Sequence, residues 1–152
     1  MARRKPPRDV THMEEITDMK CEIVTPEGLI IDENVAMVVI PGELGELGIL
    51  PRHAAIVSRT VTGEARVKKK DGDGGWEFLA VGNGYVKVQF DRLLLLVDTA
   101  EKATEIDASR AEKARERAEK YLARAGEEGI DTHRAEQSRK RAVNRLKVAG
   151  KA

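Results

Sequence analysis

Acidic and arginine side chains recur at helical spacing in the last third of the chain. Asp107 and Arg110, in "EIDASRA", are three positions apart, and Arg117 is seven positions further, so all three share one helix face. Arg141 and Arg145 share a face of a later helical stretch. If the two faces meet, four guanidinium groups with few nearby acids repel one another, and a bound polyanion relieves that repulsion. Because the arginine fork binds phosphate oxygens in pairs, the spacing suggests a polyphosphate site.

Two other interpretations of these residues stay open. Asp107 is a suitable N-cap for a helix, worth about 1 kcal/mol, in which case Arg110 simply faces solvent. Thr104 is a competing cap, with Asp107 as the acid three positions later. Alternatively the arginines form a solvated face and pair at helical spacing with Glu112, Glu116 or Glu119. Neither interpretation needs a ligand.

A second candidate region is the glycine-rich stretch "PGELGELGILPRHA", residues 41–54. Three glycines between two prolines predict an irregular, exposed loop containing a short strand "GIL". No Gly-Lys-Ser/Thr follows, so this is not a phosphate-binding loop. A small hydrolase using Glu46 and His53 is the enzymatic alternative, but no nucleophile or metal set accompanies them, and we expect no catalytic residues.

The arginines must be positioned by two helices. The alanine- and charge-rich composition after Thr99 predicts a first helix from Asp107 to Arg124, a break at "AGEEG", and a second helix capped by Asp131 or Thr132. So short a break favours an antiparallel hairpin. The facing positions are mostly alanine, and each buried methyl contributes only about 0.8 kcal/mol. A weakly held hairpin is what a conformational switch requires, because a ligand then shifts the equilibrium. The predicted seam comprises Ala108, Ala111, Ala114 or Arg115, Ala118, Leu122 and Ala125 on the first helix, and Ala135, Ser138, Ala142, Leu146 and Ala149 on the second.

The first two thirds of the chain has the pattern of a β-protein. Apolar or alternating runs separated by turns predict eight short strands in a sandwich or barrel, and "KKKDGDGGWEF" predicts a hairpin. The runs are "CEIV", "LII", "VAMVVI", "AAIV", "EARVKKK", "EFLAV", "YVKVQF" and "LLLLV".

Composition narrows the classes of function. The 152 residues carry 27 basic and 26 acidic side chains and only 3% aromatics, which makes nucleic acid a poor default partner. The single cysteine, Cys21, suits a reducing cytoplasm, the three histidines show no metal-ligand spacing, and no apolar run is long enough to span a membrane. We expect residues 1–18 to be a disordered tail, with Met19 as an alternative start of the folded unit.

Several motifs together resemble one known family. "EIVTPEG", "GELGILPRHA", "VGNGYVKV", "VDTAEKATEIDASRA" and "KRAVNRLKVA" occur over residues 20–149 in the order and spacing of the epsilon subunit of bacterial rotary ATP synthases. The resemblance implies an α+β fold, with an N-terminal β-sandwich of about ten strands followed by a C-terminal antiparallel two-helix hairpin. We therefore expect a tail over 1–18, a sandwich over 19–100 and a regulatory hairpin over 101–152.

The resemblance also implies a function. Epsilon is a non-catalytic central-stalk subunit of the complex that makes ATP from ADP with a proton gradient, at the cytoplasmic face of the bacterial plasma membrane. Its sandwich binds the gamma subunit and the membrane c-ring. Its hairpin inhibits ATP hydrolysis when it extends towards the catalytic alpha and beta subunits. Glu46 and His53 then take a contact role on the ring or stalk.

Some epsilon subunits bind ATP through an Ile/Leu-Asp-x-x-Arg-Ala motif, which Ile106, Asp107, Arg110 and Ala111 match. Arg141 and Arg145 match the family's arginine pair, Arg117 also aligns, and Glu101 takes the place of a further acidic contact. By resemblance Glu101, Ile106, Asp107 and Ala111 surround the base and sugar, and the arginines hold the phosphates. ATP is then a regulatory ligand that favours the folded hairpin, with no cofactor or metal required. The alternative is a stalk module of the same fold that binds no nucleotide.

Overall fold

The computed structural model describes residues 17–70 and 75–152. Within them the predicted α+β fold is confirmed: nine β-strands are followed by a 3₁₀ turn and two α-helices. The predicted tail lies almost wholly outside the described residues. The strands are β1 (Met19–Thr25), β2 (Gly28–Gly42), β3 (Gly45–Ile49), β4 (Ile56–Thr60), β5 (Gly63–Lys69), β6 (Trp76–Val81), β7 (Gly84–Gln89), β8 (Arg92–Val97) and β9 (Ala100–Lys102). The 3₁₀ turn is Ala103–Glu105, and the helices are α1 (Ala108–Leu122) and α2 (Thr132–Ala149).

Strand β2 joins the two layers of the sandwich. The prediction of two separate strands, "LII" and "VAMVVI", is wrong, because β2 runs unbroken for 15 residues through the polar stretch between them. The polar side chains there have lateral partners: Asp32 forms an ion pair with Lys20, and Asn34 Nδ2 donates to Asp18 Oδ2 over 2.9 Å. The strand therefore continues without leaving those groups unpaired.

The pairing of β2 sets the order of strands in each layer. Its first part pairs with β1, and the order continues β1-β8-β7-β4. Its second part pairs with β3 on one side and β5 on the other, and the order continues β5-β6-β9. The pair β1–β8 is parallel, so these two strands end at the same edge of the sheet. That edge is where the candidate site lies.

The core lies between the two layers and is aliphatic. In β1 buried and half-buried residues alternate, as expected for a strand with one face on the core. Each large side chain that is fully buried contributes about 1.5–3 kcal/mol relative to exposure. The largest of them are Ile23, Ile40, Ile49, Leu79, Leu93 and Leu95.

Cys21 lies in this core and is fully buried. Burial, with Glu33 and Glu22 nearby, raises the pKa of its thiol from 9.0 to about 12. The native state therefore keeps a proton that the unfolded chain loses at lower pH. The contribution of the Cys21 thiol to folding stability is fully present below the pKa of the thiol in the unfolded chain, and it is lost as pH rises from about 9 towards 12.

We expect Cys21 to be inert towards thiol reagents at pH 8 to 9 in the native protein. Its thiolate fraction is about a thousandfold lower than that of an unfolded cysteine, and its sulfur is shielded from the reagent. The check is the rate of thiol alkylation with and without denaturant. Comparable rates in the two conditions would contradict the buried position.

The two helices begin where the sequence predicts. Asp107 caps α1, its Oδ1 accepting from the Arg110 amide over 2.9 Å, and Asp131 caps α2 in the same way through the Arg134 amide. The competing cap, Thr104, is not used, because it lies within the 3₁₀ turn. Helix α1 ends at Leu122 rather than at the predicted Arg124, and a series of turns follows through "AGEEG".

The helices form the predicted antiparallel hairpin with an alanine seam. Ala111 and Ala118 of α1 and Ala135 and Ala142 of α2 are buried, whereas the outer seam positions Ala108 and Ala125 are exposed. An ion pair of 3.7 Å between Arg139 Nε and Glu119 Oε1 crosses the seam. With so little apolar area at its centre, the hairpin is held weakly.

The residue that anchors α2 to the sandwich is Val148, which is not one of the predicted seam residues. Val148 is 0% exposed and packs with Ala80 of β6 and Ala103 of the 3₁₀ turn, together with Phe78 and Ile106. Beside this cluster, Asn144 Nδ2 donates to the Gly63 carbonyl over 2.7 Å. Docking of α2 therefore depends on a small cluster and a few polar contacts.

Candidate functional site

A cleft of about 710 Å³ opens between the sandwich edge, the start of α1 and the end of α2. Its floor comes from the two turns at the edge where β1 and β8 end, and from β9. Its walls come from one face of α1 and from a side chain of α2. The lining residues are Thr25, Glu27, Asp98, Thr99, Ala100, Glu101, Glu105, Asp107, Arg110, Ala111, Lys113, Ala114, Arg117 and Arg145.

Most of the predicted site residues line this cleft. They are Glu101, Asp107, Arg110, Ala111, Arg117 and Arg145. Ile106 is outside the lining and packs in the cluster around Val148. Arg141 is also outside it, and its Nη2 donates to Ser138 Oγ, one turn back on α2, over 3.2 Å. Three of the four predicted arginines therefore meet in one cleft.

Glu101 and Arg145 tie the sandwich to α2 across the cleft. The Arg145 guanidinium donates to Glu101 Oε1 from Nε over 2.8 Å and from Nη2 over 2.5 Å. Glu101 belongs to β9, which is paired with β6, so the carboxylate sits on a fixed strand. Two donors on one oxygen fix the plane of the guanidinium at the cleft wall.

Arg110 and Arg117 lie on the opposite wall, on the exposed face of α1. Within residues 17–70 and 75–152, neither guanidinium makes an ion pair. The acids at helical spacing are used elsewhere: Glu112 and Glu119 both pair with Arg115. Arg110 and Arg117 therefore lie on a solvated face, as one of the interpretations without a ligand expects, but the described residues do not show their predicted pairing with Glu112, Glu116 or Glu119.

Carboxylates are more numerous around the cleft than the sequence analysis expected. Five acids line it, namely Glu27, Asp98, Glu101, Glu105 and Asp107, against the cations Arg110, Lys113, Arg117 and Arg145. The prediction that the arginines have few acids nearby is therefore wrong. A net attraction for phosphate has to come from the local placement of Arg110 and Arg117, not from the charge of the whole cleft.

Several of the lining residues were not predicted. Lys113 had a usable signal, because it is three residues after Arg110 on α1. Thr25, Glu27, Asp98 and Thr99 had none. They come from two turns far apart in sequence, which meet only because β1 and β8 run parallel with Val24 opposite Leu96.

Glu46 and His53, the other predicted pair, have separate partners. Glu46 Oε2, on β3, lies 2.7 Å from Arg66 Nη2 on β5. His53 follows β3, and its Nδ1 is 2.7 Å from the Ala54 carbonyl oxygen, to which it donates when protonated there. Neither is placed to activate the other, so the geometry gives no support to a hydrolytic site.

In the described part of the chain, no three His, Cys, Asp or Glu side chains are grouped so that they could hold a metal ion. Over the same residues, no helix combines the length and apolar character needed to cross a bilayer.

Comparison with known proteins assigns the family. Residues 18–103 match the family model described as the β-sandwich domain of the ATP synthase delta/epsilon chain, and residues 104–150 match its long α-helix domain. The ATP synthase epsilon chain of Desulforamulus reducens is 45% identical over 131 residues, covering 86% of this chain and 96% of the relative. That of Bacillus subtilis is 46% identical over 133 residues, covering 88% and 98%.

A solved structure shares the fold. A chain from the cryo-EM structure of the Euglena gracilis mitochondrial ATP synthase superposes with a TM-score of 0.75 at 20% identity, covering 98% of this chain and 91% of that one. The two family models meet between residues 103 and 104, just after β9. The chain therefore belongs to the ATP synthase delta/epsilon chain family, as an epsilon chain and hence a non-catalytic subunit of an ATP synthase.

Proposed function

We propose that this epsilon chain is a rotor subunit whose helical hairpin switches between a docked state and an extended, inhibitory state, and that ATP bound in the cleft favours docking. The observation that carries the proposal is the composition of the cleft walls. Arg110 and Arg117 come from α1, Arg145 from α2, and Glu101 from the sheet. A ligand held by all four contacts both helices and the sandwich, so it binds the docked state better than an extended one.

The chemistry of the walls suits a nucleotide. Arg110 and Arg117 offer guanidinium forks, unpaired within the described residues, to phosphate oxygens. Asp107, Glu101 and the Thr25 and Thr99 hydroxyls offer polar groups to a sugar and a base. By this placement Arg145 contributes through its fixed guanidinium, and Arg141, outside the lining, contributes less than the sequence suggests.

The energetics of docking fit a switch. Helix α2 is held on the sandwich by the Val148 cluster, by Asn144 and by the Glu101–Arg145 pair. Ligand binding stabilises the docked state by RT ln(1 + [L]/Kd), about 2.7 kcal/mol at a hundredfold excess over Kd. That is comparable to the contribution of burying one or two aliphatic side chains, so ATP can decide the position of α2.

The sandwich supplies the proposed stalk contacts. Glu46 and His53 lie on exposed or half-exposed backbone at β3 and in the following loop, where Arg52 adopts φ 63°. We assign them to contacts with the membrane ring, and the sandwich to the gamma subunit, at the cytoplasmic face of a proton-coupled synthase. The extended hairpin meets the catalytic alpha and beta subunits.

Hydrolysis assays of complexes lacking residues 104–152 test the inhibitory role of the hairpin, and an unchanged rate of ATP hydrolysis would contradict that role.

A stalk subunit of the same fold without nucleotide binding is the second candidate. The five carboxylates around the cleft favour it, because they oppose a polyphosphate. Saturable binding of ATP by the isolated subunit separates the two candidates, and a pair of matched substitutions at the two helix caps tests the part of Asp107 in that binding.

We expect Asp107→Ser to weaken ATP binding while leaving α1 stable, because serine caps helices about as well as aspartate but lacks the carboxylate. The loss of one hydrogen bond predicts a decrease in affinity of about 2- to 10-fold. The measurement is ATP titration by calorimetry, with helicity followed by circular dichroism. Asp131→Ser is the control, since Asp131 caps α2 outside this cleft. Equal ATP affinities of the two variants would show that Asp107 acts only as a helix cap.

A further inference from the structure

Four charged side chains form a line from the end of α2 to Glu46. Lys151 Nζ donates to Glu64 Oε1 over 3.0 Å and lies 2.9 Å from Oε2. Arg66 Nε is 3.9 Å from Glu64 Oε1, and Arg66 Nη2 is 2.7 Å from Glu46 Oε2. Glu64 and Arg66 are on β5 and Glu46 is on β3, so the line crosses the sheet from the C-terminal end of the chain.

The two carboxylates at Arg66 differ in exposure. The Glu64 side chain is 6% exposed, whereas that of Glu46 is 61% exposed. The Nε of Arg66 is buried and makes no hydrogen bond within the described residues, although Glu64 Oε1 lies 3.9 Å from it. The Nε donor of Arg66 is therefore unused beside the buried Glu64 carboxylate. The Nη2 of the same guanidinium is paired with the exposed Glu46 carboxylate.

Lys151 neutralises Glu64 only while α2 is docked. It follows the last turn of α2, its amide donating to the Val148 carbonyl over 2.9 Å, and its Nζ also lies 5.1 Å from the centre of the Phe78 ring. When α2 leaves, Lys151 leaves with it. The 6% exposure of the Glu64 side chain is that of the docked state. A carboxylate that stays buried without a partner is far more costly than the loss of an exposed ion pair, because solvent already screens the exposed pair.

We propose that Arg66 is shared between Glu46 and Glu64, and that withdrawal of Lys151 draws it to Glu64 and frees Glu46 for a basic group on a partner surface. The position of α2 is thereby transmitted to a residue on β3 that α2 does not itself hold. The consequence for the assembly rests on the proposed function, but the exchange of partners at Arg66 does not require nucleotide or the complex. It can be tested in the isolated chain.

The test is carbodiimide labelling of carboxylates in the isolated chain, with Glu46 followed by mass spectrometry. Lys151→Met removes the ammonium and keeps the length of the side chain. We expect it to raise the labelling rate of Glu46 about twofold, the range of a weak exposed ion pair. Arg66→Met, which frees Glu46 directly, sets the upper limit. Lys147→Met, on the exposed side of the last turn of α2, is the matched control and is expected to leave the rate unchanged.

A second background makes the result specific to Glu64. In Glu64→Gln the buried charge is gone, so Arg66 stays with Glu46, and adding Lys151→Met is expected to have no effect. The proposal is overturned if Lys151→Met leaves Glu46 labelling at the native rate, or raises it equally with Gln at position 64. A failure of the proposed ATP switch leaves these rates unaffected, since no nucleotide is present.

Discussion

Val148→Asp is expected to release α2 from the sandwich while the sandwich stays folded. Val148 is fully buried among Ala80, Ala103, Phe78 and Ile106, and a carboxylate there has no free cation, because the nearby Lys151 is held by Glu64. Burying an unpaired charge costs about 3 kcal/mol or more, which is comparable to the burial of one or two aliphatic side chains in the docking cluster. The chain avoids that cost by undocking the helix.

Amide hydrogen exchange over α2 measures this release. The amides of residues 140–149 are expected to exchange much faster in Val148→Asp, whereas those of β1, β7 and β8 stay protected. Val143→Asp is the control, because Val143 lies on the same helix and is 43% exposed. In the assembled synthase the released hairpin is expected to lower the rate of ATP hydrolysis. Continued protection of α2 would show that docking does not depend on Val148.

Arg110→Met and Arg117→Met are each expected to lower ATP affinity by about 10-fold or more. Hydrogen bonds to charged groups are worth about 1.5–3 kcal/mol, and neither guanidinium has an ion-pair partner in the described structure that would reduce the loss. Arg141→Met is expected to have a smaller effect, because Arg141 is outside the cleft lining and bonded to Ser138. Equilibrium binding of ATP to the isolated subunit provides the comparison.

Arg139→Met removes the same charge from α2 at a position where the arginine pairs with Glu119, outside the cleft. It controls for the general loss of positive charge. If all four variants lose affinity equally, binding is non-specific attraction to a basic surface. A larger loss for Arg141→Met than for Arg110→Met would mean that the bound state has a different geometry from the docked hairpin described above.

The elements were predictable because their signals are local. Apolar or alternating runs mark strands such as β1, Asp107 and Asp131 mark the helix starts, and alanine at three-to-four spacing marks the seam. Gly84, in "VGNGY", is required because the backbone of the neighbouring strand comes so close. A Cβ at this position would lie 1.8 Å from the Leu96 carbonyl oxygen. The predicted division of domains at residue 100 stays a prediction.

Only part of the cleft was predictable, because its floor is formed by residues that are far apart in sequence. Helical spacing places Arg110 and Arg117 on one face, but the positions of Glu27 and Asp98 depend on the parallel pairing of β1 with β8. Val148 is not predicted by the seam between the helices, because it lies on a second face of α2 that packs against β6. Arg141 matched a motif yet points to its own helix, which spacing does not reveal.

The most direct test of the central claim, that ATP in this cleft holds the hairpin docked, is amide exchange over α2 in the isolated subunit with and without ATP. With ATP at a hundredfold excess over Kd, exchange through undocking is expected to slow by about 100-fold, the equivalent of 2.7 kcal/mol. Arg110→Met should abolish the slowing at the same concentration. Saturating millimolar ATP without any change in α2 exchange, or the absence of saturable binding, would contradict the claim.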